Sequence, residues 1–287
     1  MTPAITFALV SLAAAGCLEV TFKRFSQKER SRGMYVFGCG VVWLTLQLIY
    51  LAANDTQLVF DETTILFGLV TGIVIALANI LLIESLTGLD VSLGSMIYRL
   101  NTIGVVAISF LLLSEDVGVF KIIGIGVGVF AVILLYRGTE NDDRGVAIPL
   151  LFFILAIAAS IFRAVYGVAS KYALEQGAAT EGMLIIAAGC WIIGGLVYAA
   201  LRERRVRITG KKAVYAFVSG ILSFIVANAL IEALRLGEAS VVVPVANLSF
   251  AVAMVISVGL GMEALAARKY VAIGCAILSV FLLAQTA

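Results

Sequence analysis

The sequence predicts an all-α integral membrane protein, with ten transmembrane helices arranged as two inverted five-helix repeats. Three observations carry that prediction. Of the 287 residues 62% are hydrophobic and only 13% charged, and mean hydropathy is +1.10, values that no soluble domain of this length shows. The apolar residues gather into ten runs of about the length that crosses a hydrocarbon layer, roughly 20 residues. The second half of the chain also repeats the first at one fixed shift.

The ten runs are Ile5–Phe22, Gly33–Ala53, Thr64–Leu86, Val91–Leu113, Val119–Tyr136, Val146–Ser170, Met183–Leu201, Ala213–Leu234, Val241–Leu260 and Tyr270–Ala284. None has a polar face wide enough for a water-exposed helix. Pro3 and Pro149 stand near the starts of runs, where a missing N–H is tolerated. The connectors are too short to hold a soluble domain, so the chain reads as a bundle and little else. The first run lacks a basic leader and has the length of a span, so a cleavable signal peptide is not expected.

Shifting the chain by 148 residues superimposes unlike residue types. Lys23 meets Lys171, Trp43 meets Trp191, and Tyr50 meets Tyr198. Glu84 meets Glu232, Glu115 meets Glu263, Lys121 meets Lys269 and Gly126 meets Gly274. Leucine and valine coincide by chance in membrane sequence; tryptophan, glutamate and lysine at one shift do not. Asn79 against Asn228 is one residue off that register. Two homologous halves follow, 1–137 and 144–287, each with five spans. Five is odd, so the second half enters the membrane from the opposite face and the halves are inverted, as in many secondary transporters.

Loop charge tests the same count. With ten spans, fifteen lysines and arginines fall on one side, and only Lys121, Lys171 and Arg235 on the other. By the positive-inside rule the Lys23–Arg32 and Arg202–Lys212 loops are cytoplasmic and both termini lie outside. The expected location is the cytoplasmic membrane of a bacterium or archaeon.

Composition excludes several functions. The chain has no histidine, which rules out histidine-based zinc sites and histidine-activated nucleophiles. Cys17, Cys39, Cys190 and Cys275 lie singly in apolar runs and read as small buried hydrophobes. The Gly124–Gly128 stretch opens no strand-to-helix turn, so it packs helices and binds no nucleotide. No cofactor, no metal and no nucleic-acid partner is expected, and no enzymatic activity. A net charge of +2 concentrated in two loops makes no nucleic-acid surface.

The passage Gly237–Ala284 resembles the end of an EamA-type repeat of the drug/metabolite transporter superfamily. It has an A-S-x-V-x-P entry, a span, a glutamate at the next turn, and a final span bearing glycine. Gly88–Tyr136 resembles its first-half copy, with Ser-Glu-Asp at the turn. The resemblance covers essentially the whole chain. It implies a central cavity lined mainly by spans 1, 3, 4, 6, 8 and 9, and export or exchange of small metabolites. It also implies cytoplasmic termini, opposite to the loop charges.

Candidate site residues follow from polar groups placed inside spans. Arg99 sits within the fourth run, with Ser92, Ser95 and Thr102 on its helical face. An arginine near the bilayer centre costs roughly 2.5–3.5 kcal/mol on insertion scales, so it faces protein or water. It is read as a cavity cation for an anionic group, the alternative being a structural pairing with a carboxylate or with helix-end carbonyls. Arg163, with Tyr166 beside it on the sixth run, is the second such cation, unless it snorkels to a surface. Asn247 is the repeat counterpart of Arg99 and follows Pro244, whose missing N–H permits a bend. Asn79 and Asn228 are read equally as site residues or as interhelical glue. Glu19 either pairs with Lys23 one turn on or serves as a protonatable coupling carboxylate. Glu84, Glu115, Glu232 and Glu263 are read as turn residues at span ends.

The expected function is secondary transport of a small polar metabolite, anionic or zwitterionic, such as an amino acid or organic acid, by alternating access. The expected partners are that substrate and the bilayer, with a proton or counter-substrate and the choice between monomer and dimer left open. The alternatives are an intramembrane enzyme acting on a lipid or prenyl carrier, and a channel or scaffold subunit.

Overall fold

The computed structural model describes residues 2–26, 31–85, 97–116, 118–136, 150–204, 210–260 and 267–285. Its helices are α1 (Pro3–Ser26), α2 (Arg32–Ala53), α3 (Glu62–Ser85), α4 (Asn101–Leu112), α5 (Val119–Tyr136), α6 (Leu150–Glu175), α7 (Thr180–Tyr198), α8 (Gly210–Leu236), α9 (Ala239–Asn247), α10 (Ser249–Gly259) and α11 (Ala267–Ala284). A short π-helical turn, Ala199–Glu203, extends α7. Seven stretches are long and apolar enough to cross a bilayer, with α9 and α10 together forming one of them, and three shorter apolar helices cover 97–112, 119–131 and 270–284. Together they make ten spans. Only helices can satisfy every backbone group within hydrocarbon without closing a barrel, and the described residues contain no strand.

The outward faces carry large apolar side chains such as Leu48, Ile49, Phe110, Leu111 and Phe281. Lipid takes the place of water there, so exposure of these residues carries no hydrophobic penalty. The buried face is richer in small and polar residues, among them Ser11, Gln47, Thr71, Ser219 and Ser279.

Packing runs mainly between the halves. Helix α1 lies on α8 as α3 lies on α6; α2 lies on α8 as α7 lies on α3; α1 meets α9 and α10 as α6 meets α4. Each of these contacts is the repeat image of its partner. Helix α2 packs on its own counterpart α7, and α5 on its counterpart α11. Trp43 and Trp191, equivalent by the 148 shift, meet edge to face at 5.8 Å and 84°. A residue touching its own repeat image lies on the pseudo-two-fold axis. At the end of this crossing Gly33 and Gly195 are backbone to backbone, and a β-carbon on Gly195 would fall on Phe37 N.

The fourth and ninth spans are each interrupted, a feature the sequence reading did not anticipate at those positions. Leu100 (φ −64°, ψ −6°) separates 97–99 from α4, and Leu248 (φ −76°, ψ 8°) separates α9 from α10. The tight bonds that make the break are images of each other. Leu100 N donates to Ile97 O and Leu248 N to Val245 O, both at 3.1 Å; Ile103 N donates to Leu100 O and Ala251 N to Leu248 O, both at 3.0 Å. These i→i+3 bonds are of the 3₁₀ kind and overwind the chain locally. Pro244 is not the cause, because Met96 occupies its place in the first half.

The acidic residues at span ends do more than mark turns. Glu203 accepts from Ser31 Oγ and from Arg32 N (2.6 Å), capping the N-terminus of α2. Glu84 at the end of α3 accepts from Arg202 Nη2 (3.0 Å) and from Tyr198 OH. Glu115 accepts from Ala239 N (2.7 Å) and Ser240 N (2.9 Å) at the N-terminus of α9. Lys121, buried, donates to Glu238 and to Asp116 O. Glu232 bonds Arg235 on its own helix at 3.0 Å, and Glu263 lies outside the described residues.

Candidate functional site

Because both broken spans cross at the axis, the residues flanking the two breaks face one another. Arg99, just before the first break, donates through Nη1 to Asn247 O and to Ser249 Oγ (3.2 Å). Its Nη2 donates to Glu19 Oε2 on α1. Its guanidinium carbon lies 5.0 Å from the centroid of the Phe250 ring, a cation–π distance. Asn247, just before the second break, donates through Nδ2 to Asn101 Oδ1 (2.6 Å) and Thr102 Oγ1 (3.0 Å). Arg99 reaching Ser249 and Asn247 reaching Asn101 are the same contact under the 148 shift. The breaks are clasped to each other.

Glu19 completes the cluster, accepting from Ser249 Oγ at 2.8 Å through its second oxygen. The carboxylate thus joins residues 80 and 230 positions away, where the sequence offered only the local Lys23; the Lys23 side chain is outside the described set. Small residues let the spans approach: a β-carbon on Gly16 would come within 2.6 Å of Val252 Cβ, and one on Gly104 within 2.9 Å of Ala164 Cβ. These two crossings are again repeat images. Beside Arg99, toward spans 5 and 10, a cleft lined by Thr102, Gly128, Pro244, Asn247 and Ser279 has room for about one water.

Of the other sequence candidates, Arg163 on α6 lies with its guanidinium carbon 5.3 Å from the Tyr166 ring centroid. Tyr98, which precedes Arg99, accepts from Asn101 Nδ2 at its carbonyl (2.7 Å). Among the described residues no carboxylate pairs with Arg163. Asn79 and Asn228 both donate to the carbonyl four residues earlier, Ile75 O and Phe224 O, at 2.8 Å. Asn228 also exchanges two amide bonds with fully buried Gln47 on α2, at 2.9 and 3.2 Å. Neither asparagine touches the Arg99 cluster. Ser92 and Ser95 lie outside the described residues. Sequence reasoning missed Tyr98, Asn101, Ser249 and Phe250. The signal for two of them existed, since Asn101 and Ser249 are repeat counterparts and both polar.

A charged cluster at the centre of two inverted repeats, built on interrupted helices, is the arrangement of membrane transporters. The EamA-like transporter family model matches the chain twice, over residues 2–137 and 150–285. The chain belongs to the EamA-like transporter family. It is thereby a membrane transporter of the drug/metabolite type, and its ten helices form two inverted five-helix repeats. No curated protein matches it. A solved structure titled "Crystal structure of protein" has the same fold, with a TM-score of 0.84 and 15% identity over 99% of this chain and 97% of that one.

Proposed function

We propose that this EamA-like transporter is a secondary transporter, exporting or exchanging a small anionic or zwitterionic metabolite, such as an amino acid or organic acid, by alternating access. The observation that carries the reading is the cross-clasp at the two helix breaks. Charged and amide groups from both repeats meet at one point on the axis, where a substrate between the halves would touch both. Glu19, Arg99 and Arg163 sum to one positive charge, which suits a substrate with an anionic end. Thr102, Asn247 and Tyr166 supply neutral polar contacts, and Asn79 and Asn228 lie on the neighbouring spans. The coupling partner is a proton or a counter-substrate; a proton would act through Glu19, the carboxylate of this cluster.

The test is flux in proteoliposomes with the purified protein, using radiolabelled amino acids and organic acids, with and without a proton gradient. Saturable, counter-substrate-stimulated flux supports the proposal. Conductance without saturation would replace it with a channel, and turnover of a lipid carrier with an enzyme.

A further inference from the structure

The two charges of the central ion pair are not equally available. Arg99 is only 10% exposed at its side chain, whereas Glu19 is 38% exposed. Three of the five guanidinium N–H donors are bonded to α1, α9 and α10, Phe250 covers one face, and the little exposure left gives the remaining two scant access to a ligand. Glu19 takes one bond at each oxygen, and a carboxylate has about four lone-pair sites. Its open side therefore retains acceptor capacity. We infer that the ligand-facing charge at the centre of this transporter is the carboxylate of Glu19, that it receives a protonated amine of the substrate, and that Arg99 is a positioning residue holding that carboxylate in place.

This rests on the transporter reading and narrows it to substrates carrying an ammonium group. It also divides the labour between the two arginines. Arg163, whose guanidinium carbon lies 5.3 Å from the Tyr166 ring centroid, has no carboxylate partner among the described residues. A zwitterion reaching both groups would meet opposite charges at its two ends, the ammonium at Glu19 and the anionic group at Arg163. A purely anionic substrate would meet Glu19 as a like charge in a low-dielectric site, which disfavours it.

The test compares three probe pools on the purified, full-length protein: free amino acids, their N-acetyl derivatives, which lack the cation, and their amides, which lack the anion. Binding is read by thermal shift and by competition of flux. Free amino acids and amides are expected to bind, with N-acetyl derivatives at least tenfold weaker. Glu19→Gln is expected to abolish that discrimination, while Arg99→Lys lowers flux but preserves the preference for the amine. If Glu19→Gln fails to fold around an uncompensated Arg99, the double variant Glu19→Gln/Arg99→Gln removes both charges and should lose amine binding equally. N-acetyl derivatives binding as well as free amino acids would overturn the inference. So would a Glu19→Gln protein that keeps amine affinity and loses only the pH dependence of flux. Saturable flux of an organic acid with no amine binding would reject this inference and leave the transporter reading standing; no flux of any probe would reject both.

Discussion

Arg99 joins three helices with one planar group, and that geometry sets what its replacements do. Lysine keeps the charge but offers a single point, so it can hold Glu19 or the Asn247 carbonyl and Ser249, not all of them. We expect Arg99→Lys to lower flux about tenfold and Arg99→Gln about a hundredfold, measured on monodisperse protein in proteoliposomes. Breaking a buried pair costs about 3–5 kcal/mol; Glu19 is partly open to solvent, which reduces that loss and leaves Arg99→Gln able to fold. Unchanged affinity and flux in folded Arg99→Gln protein would make the arginine dispensable. Arg99 was legible in the sequence because a charge inside an apolar run has no cheap explanation. Its partners were less so. Glu19 sits beside Lys23, and one-dimensional spacing favours the neighbour over a contact 80 residues away.

At the scale of the element, α9 is held at both ends by the other half of the molecule. Glu115 meets its N-terminal N–H groups, and Arg99 meets the carbonyl of Asn247 at its C-terminus. An anion at the first turn and a cation at the last both complement the helix dipole, worth up to about 2 kcal/mol each in partly buried geometry. Residues Ala239–Ala246 are all buried, so this half-helix moves only with what grips it. Glu115→Gln removes the charge and one of the two acceptors, leaving one backbone N–H of α9 facing an amide NH2. The expected result is a melting temperature a few degrees lower, with raised hydrogen exchange confined to 239–247. Exchange spread evenly over α8 and α10 would mean that Glu115 does not grip α9. The sequence indicated a bend in this span through Pro244, but the break lies at Leu248 and recurs at Leu100, where no proline precedes it. At both places the break coincides with the mutual clasp across the axis, a tertiary arrangement with no local signature. The crossings at Gly16 and Gly104 belong to the same scale. Gly104→Leu would drive four added carbons into Ala164, and we expect it to abolish monodisperse protein, whereas Gly126→Leu, with nothing near its β-position, is tolerated.

For the whole molecule, the repeat was readable because residues of rare type recur at one shift, and because an odd number of spans per half forces inversion. What the shift could not convey is how thoroughly the halves interpenetrate. Span 1 packs on span 8, not chiefly on span 2, and span 3 packs on span 6. A bundle built from such exchanged pairs leaves neither half to bury its own faces alone. The breaks at Leu100 and Leu248 are the internal points both repeats share. Orientation is the remaining whole-molecule property, and it rests on charge. Arg32 and Arg202, at the described edges of the two basic loops, both reach Glu84, and Glu203 caps α2 beside them, so these edges lie on one face. Translocating fifteen lysines and arginines is far costlier than translocating three, and we predict that this face is cytoplasmic with both termini outside. In a variant lacking Cys17, Cys39, Cys190 and Cys275, single cysteines at Ser26 and Thr209 should resist a membrane-impermeant thiol reagent in intact cells and react once the membrane is opened. Cysteines at Asp55 and Gln176 should show the reverse. Labelling of either basic loop from outside would invert the molecule, placing the termini in the cytoplasm as the resemblance implies, and would show that loop charge does not set its orientation.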